Sequence, residues 1–301
     1  MSRATPTTAG PALDALGRSH PEWAPWLTPL RLTLVHAADR AYDAAVPPSP
    51  SPASPGAPLL DGSVLTLDPR VADRHVRALL DAAAAPATSA VSLAGVARSS
   101  ALDAIALLDA AVPVDTARLA ALADTLGADA GALTAVAALA AMPLLQACAR
   151  RWAGDIAADW SAGYCPVCGA WPALAEERGL ERGRRLRCGR CAADWRGAWL
   201  RCPFCATTDH ASLGALVPES GHQTRKAETC AACRGYLKTV TTLTPATPAE
   251  IAALDLETVE LDLAALAADY RRPPGLGCAP AARVMSRTGS RRGLRLPWRA
   301  A

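Results

Sequence analysis

"LRCGRCAADWRGAWLRCPFC", residues 186–205, carries two CxxC pairs separated by ten residues. A third pair, Cys165 and Cys168, precedes it, and a fourth, Cys230 and Cys233, follows. Aligning Cys165 with Cys202 exposes an internal repeat. The first unit runs CPVC, "GAWPALAEE", a turn at "RGLERG", "RRLR", CGRC and "AADWRGAWLR". The second runs CPFC, "ATTDHASLGALV", a turn at "PESG", "HQTRKAE", CAAC and "RGYLKTVTTL". Each reads as a cysteine knuckle, a strand, a hairpin turn, a strand, a second knuckle and a closing strand. The strand assignments rest on β-branched and aromatic residues flanking Gly/Pro turns. The quoted stretch is therefore a seam, closing one unit and opening the next.

The spacing has a direct chemical reason. Two residues between cysteines let one tight turn aim both sulfurs at a single ion, and a hairpin brings two such turns together into a tetrahedral S₄ shell. The knuckles are 19 residues apart in the first unit and 24 in the second, which fits the C-x₂-C…C-x₂-C pattern. Two sites are expected: Cys165, Cys168, Cys188 and Cys191, then Cys202, Cys205, Cys230 and Cys233. Hairpins this small bury little apolar surface, so bound metal would supply much of their folding free energy. An S₄ set suits zinc or mononuclear iron, and spacing does not choose between them.

Two other readings of the pairs stand beside this one. A CxxC thiol oxidoreductase places its dithiol at a helix start in a βαβ context, which is absent here. A zinc-ribbon nucleic-acid binder would use the eight arginines between Arg178 and Arg201, which are interleaved with Trp195 and Trp199 against only Glu181 and Asp194. The second unit lacks this charge excess, so a solvated face, or a face docking an acidic partner, is the preferred reading. Arg184, Arg185, Arg187, Trp195 and Trp199 are its candidate contacts. His210 and His222 read as loop residues, because four sulfurs already fill the second shell. Cys148, on an apolar helix, reads as a buried structural thiol. Cys278 reads as exposed and incidental.

The rest of the chain frames these units. Its 301 residues suit about two domains, and the formal charge of +3 argues against wholesale nucleic-acid or membrane-surface binding. Eight of ten cysteines fall within 69 residues, which indicates metal binding in a reducing compartment. The N-terminus shows no apolar signal-peptide core. The uncharged run Ala132–Ala149 holds eight Ala and is broken by Pro143 and Gln146. It reads as a buried core helix, with no membrane span, and the expected location is cytoplasmic. Residues 1–163 read as an all-α domain. Its helices begin at Thr28-Pro29, Asp68-Pro69, Ser100 and Asp115 (ending at Gly127), and a last one runs from Ala128 to about Trp160. Residues 46–60 read as a disordered Pro/Ser linker. Then come a first module (164–201), a second (202–244), a C-terminal helical segment (245–271, capped by Thr247-Pro248) and a basic, disordered tail (272–301). The fold class is α+β: a helical domain, two cysteine-knuckle modules and a C-terminal helix.

The motifs "YCPVCGAWP" (164–172), "LRCGRCAADW" (186–195), "LRCPFCATTD" (200–209) and "ETCAACRGYLK" (228–238) resemble the formate dehydrogenase accessory protein family, FdhE. The resemblance extends to "MPLLQACARRWA" and "DLAALAADY" and covers roughly residues 140–272. It implies a non-enzymatic maturation factor with two rubredoxin-like modules, the eight cysteines holding two metal ions. Iron is then favoured over zinc. The implied partner is the catalytic subunit of a molybdenum- or tungsten-dependent formate dehydrogenase, met in the cytoplasm before twin-arginine export. A homo-oligomer is compatible with this. Ala206 and Arg234 depart from the glycine that suits such turns, which implies a looser second site.

Overall fold

The computed structural model describes residues 10–50, 52, 54, 56–84, 93–218 and 224–287. The helical part begins with α1 (Pro11–Ser19), α2 (Ala24–Ala38), α3 (Pro69–Ala84) and α4 (Leu93–Arg98). It continues with α5 (Ala104–Ala111), α6 (Thr116–Leu126) and α7 (Ala130–Arg151). Local chemistry sets most starts. Asp103, Asp115 and Asp129 each accept from backbone N–H groups in the first turn of the helix that follows. Gly127 ends α6 in the left-handed region at φ 62°.

Two helix bounds differ from the expectation. Helix α2 starts four residues before Thr28, with Pro25 in its first turn, and carries Pro29 inside. The Thr28 hydroxyl donates back to the Ala24 carbonyl at 2.8 Å, so this Thr-Pro step is helix interior, not a cap. Helix α7 stops at Arg151, where Trp152 is wholly buried and donates its indole N–H to the Pro47 carbonyl at 3.1 Å. Although α7 is long and apolar enough to cross a membrane, two thirds of its most apolar stretch is buried within this fold.

Six strands follow: β2 (Leu174–Arg178), β3 (Gly183–Arg187), β4 (Asp194–Arg196), β5 (Leu213–Leu216), β6 (Arg225–Cys230) and β7 (Tyr236–Thr242). They form a single sheet in the order β4-β3-β2-β7-β6-β5. Each repeat unit is an antiparallel meander, and the two meanders join through parallel pairing of β2 with β7, Leu174 opposite Lys238. The two modules thus share one sheet. Two C-terminal helices, α8 (Pro248–Glu257) and α9 (Val259–Ala267), pack back on it. Thr247 and Glu250 cap α8 reciprocally.

Two segments expected to be disordered are ordered where described. Val46, Leu59 and Leu60 are buried, and the Leu59 and Leu60 amides donate to the Pro166 and Val167 carbonyls at 2.8 and 3.0 Å. The apolar Leu-Leu end of the Pro/Ser run docks on the first knuckle; residues 51, 53 and 55 lie outside the described residues. In the basic tail, β8 (Arg283–Ser286) pairs in parallel with β1 (Val64–Leu67). Buried Asp109 on α5 accepts from the Val284 amide at 2.6 Å and from Arg283 at 3.1 Å. These contacts order the tail through Arg287; residues 288–301 lie outside the described residues.

One core cluster runs continuously from α3, α5 and α7 into the first unit. It joins Leu79, Leu108, Leu144 and Trp152 to Cys165, Val167, Cys188 and Trp195.

Candidate metal centres

All four knuckles have one local geometry. The amide of the first cysteine donates to the carbonyl five residues on, Cys165 to Ala170, Cys188 to Ala193, Cys202 to Thr207 and Cys230 to Gly235, at 2.8–3.0 Å. The residue after the second cysteine then sits in the left-handed region: Gly169 at φ 72°, Ala192 at 60°, Ala206 at 60° and Arg234 at 57°. At Gly169 this conformation coincides with a close approach. A β-carbon there would lie 1.8 Å from the Cys278 carbonyl oxygen, and the Cys278 amide donates to the Gly169 carbonyl at 3.0 Å. Cys278 is therefore half-buried against the first knuckle and serves to seat the tail.

The sheet brings the knuckles together in pairs. In the first cluster, Cys165 and Cys168 lie in the turn before β2, and Cys188 and Cys191 lie between β3 and β4. The sulfurs of Cys165 and Cys191 are 3.4 Å apart, and those of Cys168 and Cys188 are 3.5 Å apart. In the second, Cys202–Cys233 and Cys205–Cys230 are each 3.7 Å apart. Within each set of four, every sulfur lies within 4.8 Å of the others. A metal–sulfur length of about 2.3 Å in a tetrahedron gives sulfur–sulfur edges of about 3.8 Å, so both donor sets fit one S₄-bound ion. Amides also point at the sulfurs, Val167 N–H to Cys165 and Cys191 N–H to Cys188, each at 3.4 Å.

The electrostatics carry the same message. Burial pushes the Cys165 and Cys191 thiols well up, while hydrogen bonds from Cys165, Cys168 and Cys191 pull Cys188 well down. The pocket on its own favours the Cys188 thiolate and resists ionisation of Cys165 and Cys191. A divalent or trivalent cation would supply the charge that lets four thiolates coexist. In the second cluster burial raises Cys202 and, less strongly, Cys233, which is pushed up to about 11. Cys205 ends up lowered: the Thr207 amide and neighbouring sulfurs outweigh its burial.

The clusters differ in exposure. The first four cysteines are 0–1% exposed. In the second, Cys202 and Cys230 are buried whereas Cys205 and Cys233 are exposed.

The expected arginine face is corrected by the structure. Arg184 and Arg187 are 5% and 4% exposed, paired with Glu228 at 2.6 Å and with buried Glu176 at 2.7 Å. Trp195 is 2% exposed and packs in the core. Arg185 is paired with Asp194. Charge counting along the chain could not see this, because the compensating acids lie on neighbouring strands. Only Trp199, 51% exposed, is a free surface contact of the five. His210 lies in a short exposed turn outside the clusters, and His222 lies outside the described residues. Cys148 is buried, and burial raises its thiol.

Trp199 instead borders a groove of about 250 Å³ against the second unit. Leu200, Phe204, Leu213 and Leu237 supply apolar walls, and Cys202 and Cys230 reach its lining. Sequence reading missed this groove, because its walls come from the seam and from β5 to β7. Arg190 was missed as well: its guanidinium donates to the Ala111 and Val112 carbonyls at 2.9 and 3.1 Å, tying the second knuckle to the end of α5.

Residues 200–275 match the family described as FdhE, C-terminal domain. A protein FdhE homolog of Stutzerimonas stutzeri is 39% identical over 120 residues, 38% of this chain and 38% of its own length. One from Pseudomonas aeruginosa is 32% identical over 134 residues, 42% of this chain and 43% of its own length. The matched stretches thus span less than half of these curated relatives. The crystal structure of the FdhE protein from Pseudomonas aeruginosa shares the fold, with a TM-score of 0.53 at 24% identity over 90% of this chain and 95% of that one.

Proposed function

We propose that the chain, whose residues 200–275 match the FdhE C-terminal domain and which resembles FdhE homologs over about two fifths of its length, is a non-enzymatic accessory factor for formate dehydrogenase. In this reading it binds the immature catalytic subunit in the cytoplasm. Cys165, Cys168, Cys188 and Cys191 hold one ion, and Cys202, Cys205, Cys230 and Cys233 hold a second. Iron is favoured over zinc on the rubredoxin-like resemblance. The ions' contribution is to fix the knuckles and so the surfaces built on them; the protein's own residues do the binding.

The observation that carries this reading is the groove at the seam. Exposed Trp199 and Leu200 (51% and 60%) stand beside an apolar floor, in a groove whose lining includes Cys202 and Cys230 of the second cluster. Aromatic anchors at the edge of a preformed apolar groove are the usual energetic centre of a protein interface. The buried, ion-paired state of Arg184 and Arg187 weighs against the nucleic-acid alternative, because their charge is already neutralised within the sheet.

The test is affinity of the metal-loaded full-length protein for the purified catalytic subunit. Trp199→Ala should weaken binding by about 2 kcal/mol, roughly thirtyfold, with an unchanged thermal midpoint. Unaltered affinity in Trp199→Ala, or no binding by the parent, would reject the reading.

A further inference from the structure

We infer that the two clusters are not equivalent: the first is a permanent structural centre, and the second is an exchangeable, thiol-reactive metal site with Cys205 and Cys233 as the points of attack. This rests on the metal binding proposed above, but not on the identity of the partner.

Access is the first argument. Solvent access and the apolar shell around a site govern how readily its ligands meet competing reagents. Cys165, Cys168, Cys188 and Cys191 belong to the main core cluster and are 0–1% exposed, and of the four, Cys191 lines a surface cavity beside Ala192 and Pro248. Cys205 and Cys233 are exposed, and the groove beside Trp199 leads to the sulfur-bearing residues Cys202 and Cys230.

The second argument is external support. Elements from outside the unit clamp both knuckles of the first cluster. Leu59 and Leu60 hold one at 2.8 and 3.0 Å, Cys278 holds the same knuckle at 3.0 Å, and Arg190 ties the other to α5. The Cys230 knuckle is held by the Arg271 amide on the Arg234 carbonyl at 2.8 Å, and by Arg234 reaching Ala268 and Asp269. The Cys202 knuckle leans on an edge-to-face contact of Phe204 with Trp171, ring centroids 5.4 Å apart.

Backbone conformation is the third. The first cluster uses a glycine at one of its two left-handed positions, whereas the second places Ala206 and Arg234 there. Side-chain-bearing residues disfavour that region, so the second pair of turns gains more by relaxing when an ion leaves.

Because Pro203 and Phe204 lie within the Cys202 knuckle and wall the groove, the metal state of this site also sets the groove's shape.

The experiment uses full-length protein loaded with two equivalents of Zn²⁺ and challenged with excess chelating dye. In parallel it is treated with iodoacetamide, in which a thiolate forms an S–C bond and iodide departs with the bonding pair. Release in two phases is expected, one equivalent leaving faster by on the order of tenfold or more. Peptide mapping should find the first alkyl groups on Cys205 and Cys233. In Cys205→Ser the fast phase should disappear while the slow equivalent stays. Release of both ions in one phase, or first labelling on any of Cys165, Cys168, Cys188 and Cys191, overturns the inference. Failure to bind zinc at either cluster overturns the metal reading itself.

Discussion

The residue that follows each knuckle is where backbone strain meets metal affinity. A non-glycine residue in the left-handed region pays about 1–2 kcal/mol for contact between Cβ and backbone. Ala206 is a clean case, exposed and at φ 60°. Ala206→Gly should therefore tighten the second cluster by about 1 kcal/mol, roughly fivefold in competition with a chelator, and leave the first cluster unchanged. Equal affinity in the two proteins would show that the turn is unstrained. A second residue-scale prediction concerns His75 on α3, which is 1% exposed, its ring 4.4 Å from that of His36. Burial, and then the neighbouring His36, depress it to about 3. It is neutral in the folded protein and titrates near 6.5 when unfolded, so its contribution to stability is complete above pH 6.5. That contribution is lost as pH falls from there towards 3, by about 1.4 kcal/mol per pH unit. In urea titrations His75→Leu should lose less stability between pH 6.5 and 4.5 than the parent, and parallel pH profiles would rule the effect out. At this scale the eight cysteines were legible because two-residue spacing is a local constraint. Burial of Arg184 and Arg187 was not, since Glu228 and Glu176 reach them only across strands.

Among the elements, β8 shows how one buried acid can hold a segment that composition alone reads as loose. Asp109 takes the Val284 amide, Arg283 and, at 2.8 Å, Arg118. Asp109→Ala would leave a buried amide without its acceptor and two guanidinium groups without their partner, at a cost of about 2 kcal/mol. Limited proteolysis should then cut near Arg283 and Arg287 in the variant before the parent, with Asp109→Asn intermediate because it keeps one acceptor. Equal cleavage rates would mean that pairing with β1 suffices by itself. The contrast with the helices is instructive. The starts of α6 and α8 are written locally, in Asp115 and in the Thr247/Glu250 pair, and could be read directly. The start of α2 was misread because two prolines lie near it, Pro25 and Pro29, and only tertiary packing decides which one the helix contains. Pairing of β2 with β7 and of β1 with β8 left no trace along the chain. A parallel pair has no connecting turn to announce it, and its partners here stand 64 residues apart at Leu174 and Lys238 and 219 apart at Val64 and Arg283.

For the whole molecule, the decisive feature is that the helical part and the first cluster share one core. Cys165, Cys168, Cys188 and Cys191 pack with Leu79, Leu144 and Trp152, so an ion bound there stabilises the helices as well as a hairpin. The second cluster's cysteines lie outside that core, which their knuckles touch through Phe204. Its strands β5 and β6 instead pack on α9 through Leu216, Ala227, Leu261 and Ala265. Metal binding linked to folding makes the binding free energy part of the stability of whatever the site holds together. Removing one ligand from each cluster in turn should therefore have unequal consequences. Cys188→Ser should lower the thermal midpoint of the helical circular-dichroism signal by about 5 °C, since a loss of about 3 kcal/mol at a buried centre, set against an unfolding entropy of about 2.1 cal/mol/K per residue, corresponds to a shift of that size in a chain of 301 residues. Cys233→Ser should leave that midpoint within about 2 °C, because none of its cluster's four cysteines belongs to the core of α3, α5 and α7, and its knuckles meet that core only at partly buried Phe204. The same pair measured by near-ultraviolet absorbance should invert the order at the groove, where Trp199 senses the second cluster and the helices do not. Equal shifts of the helical midpoint would mean that the shared sheet, through β2 and β7, couples the two clusters as strongly as the core couples the first cluster to the helices.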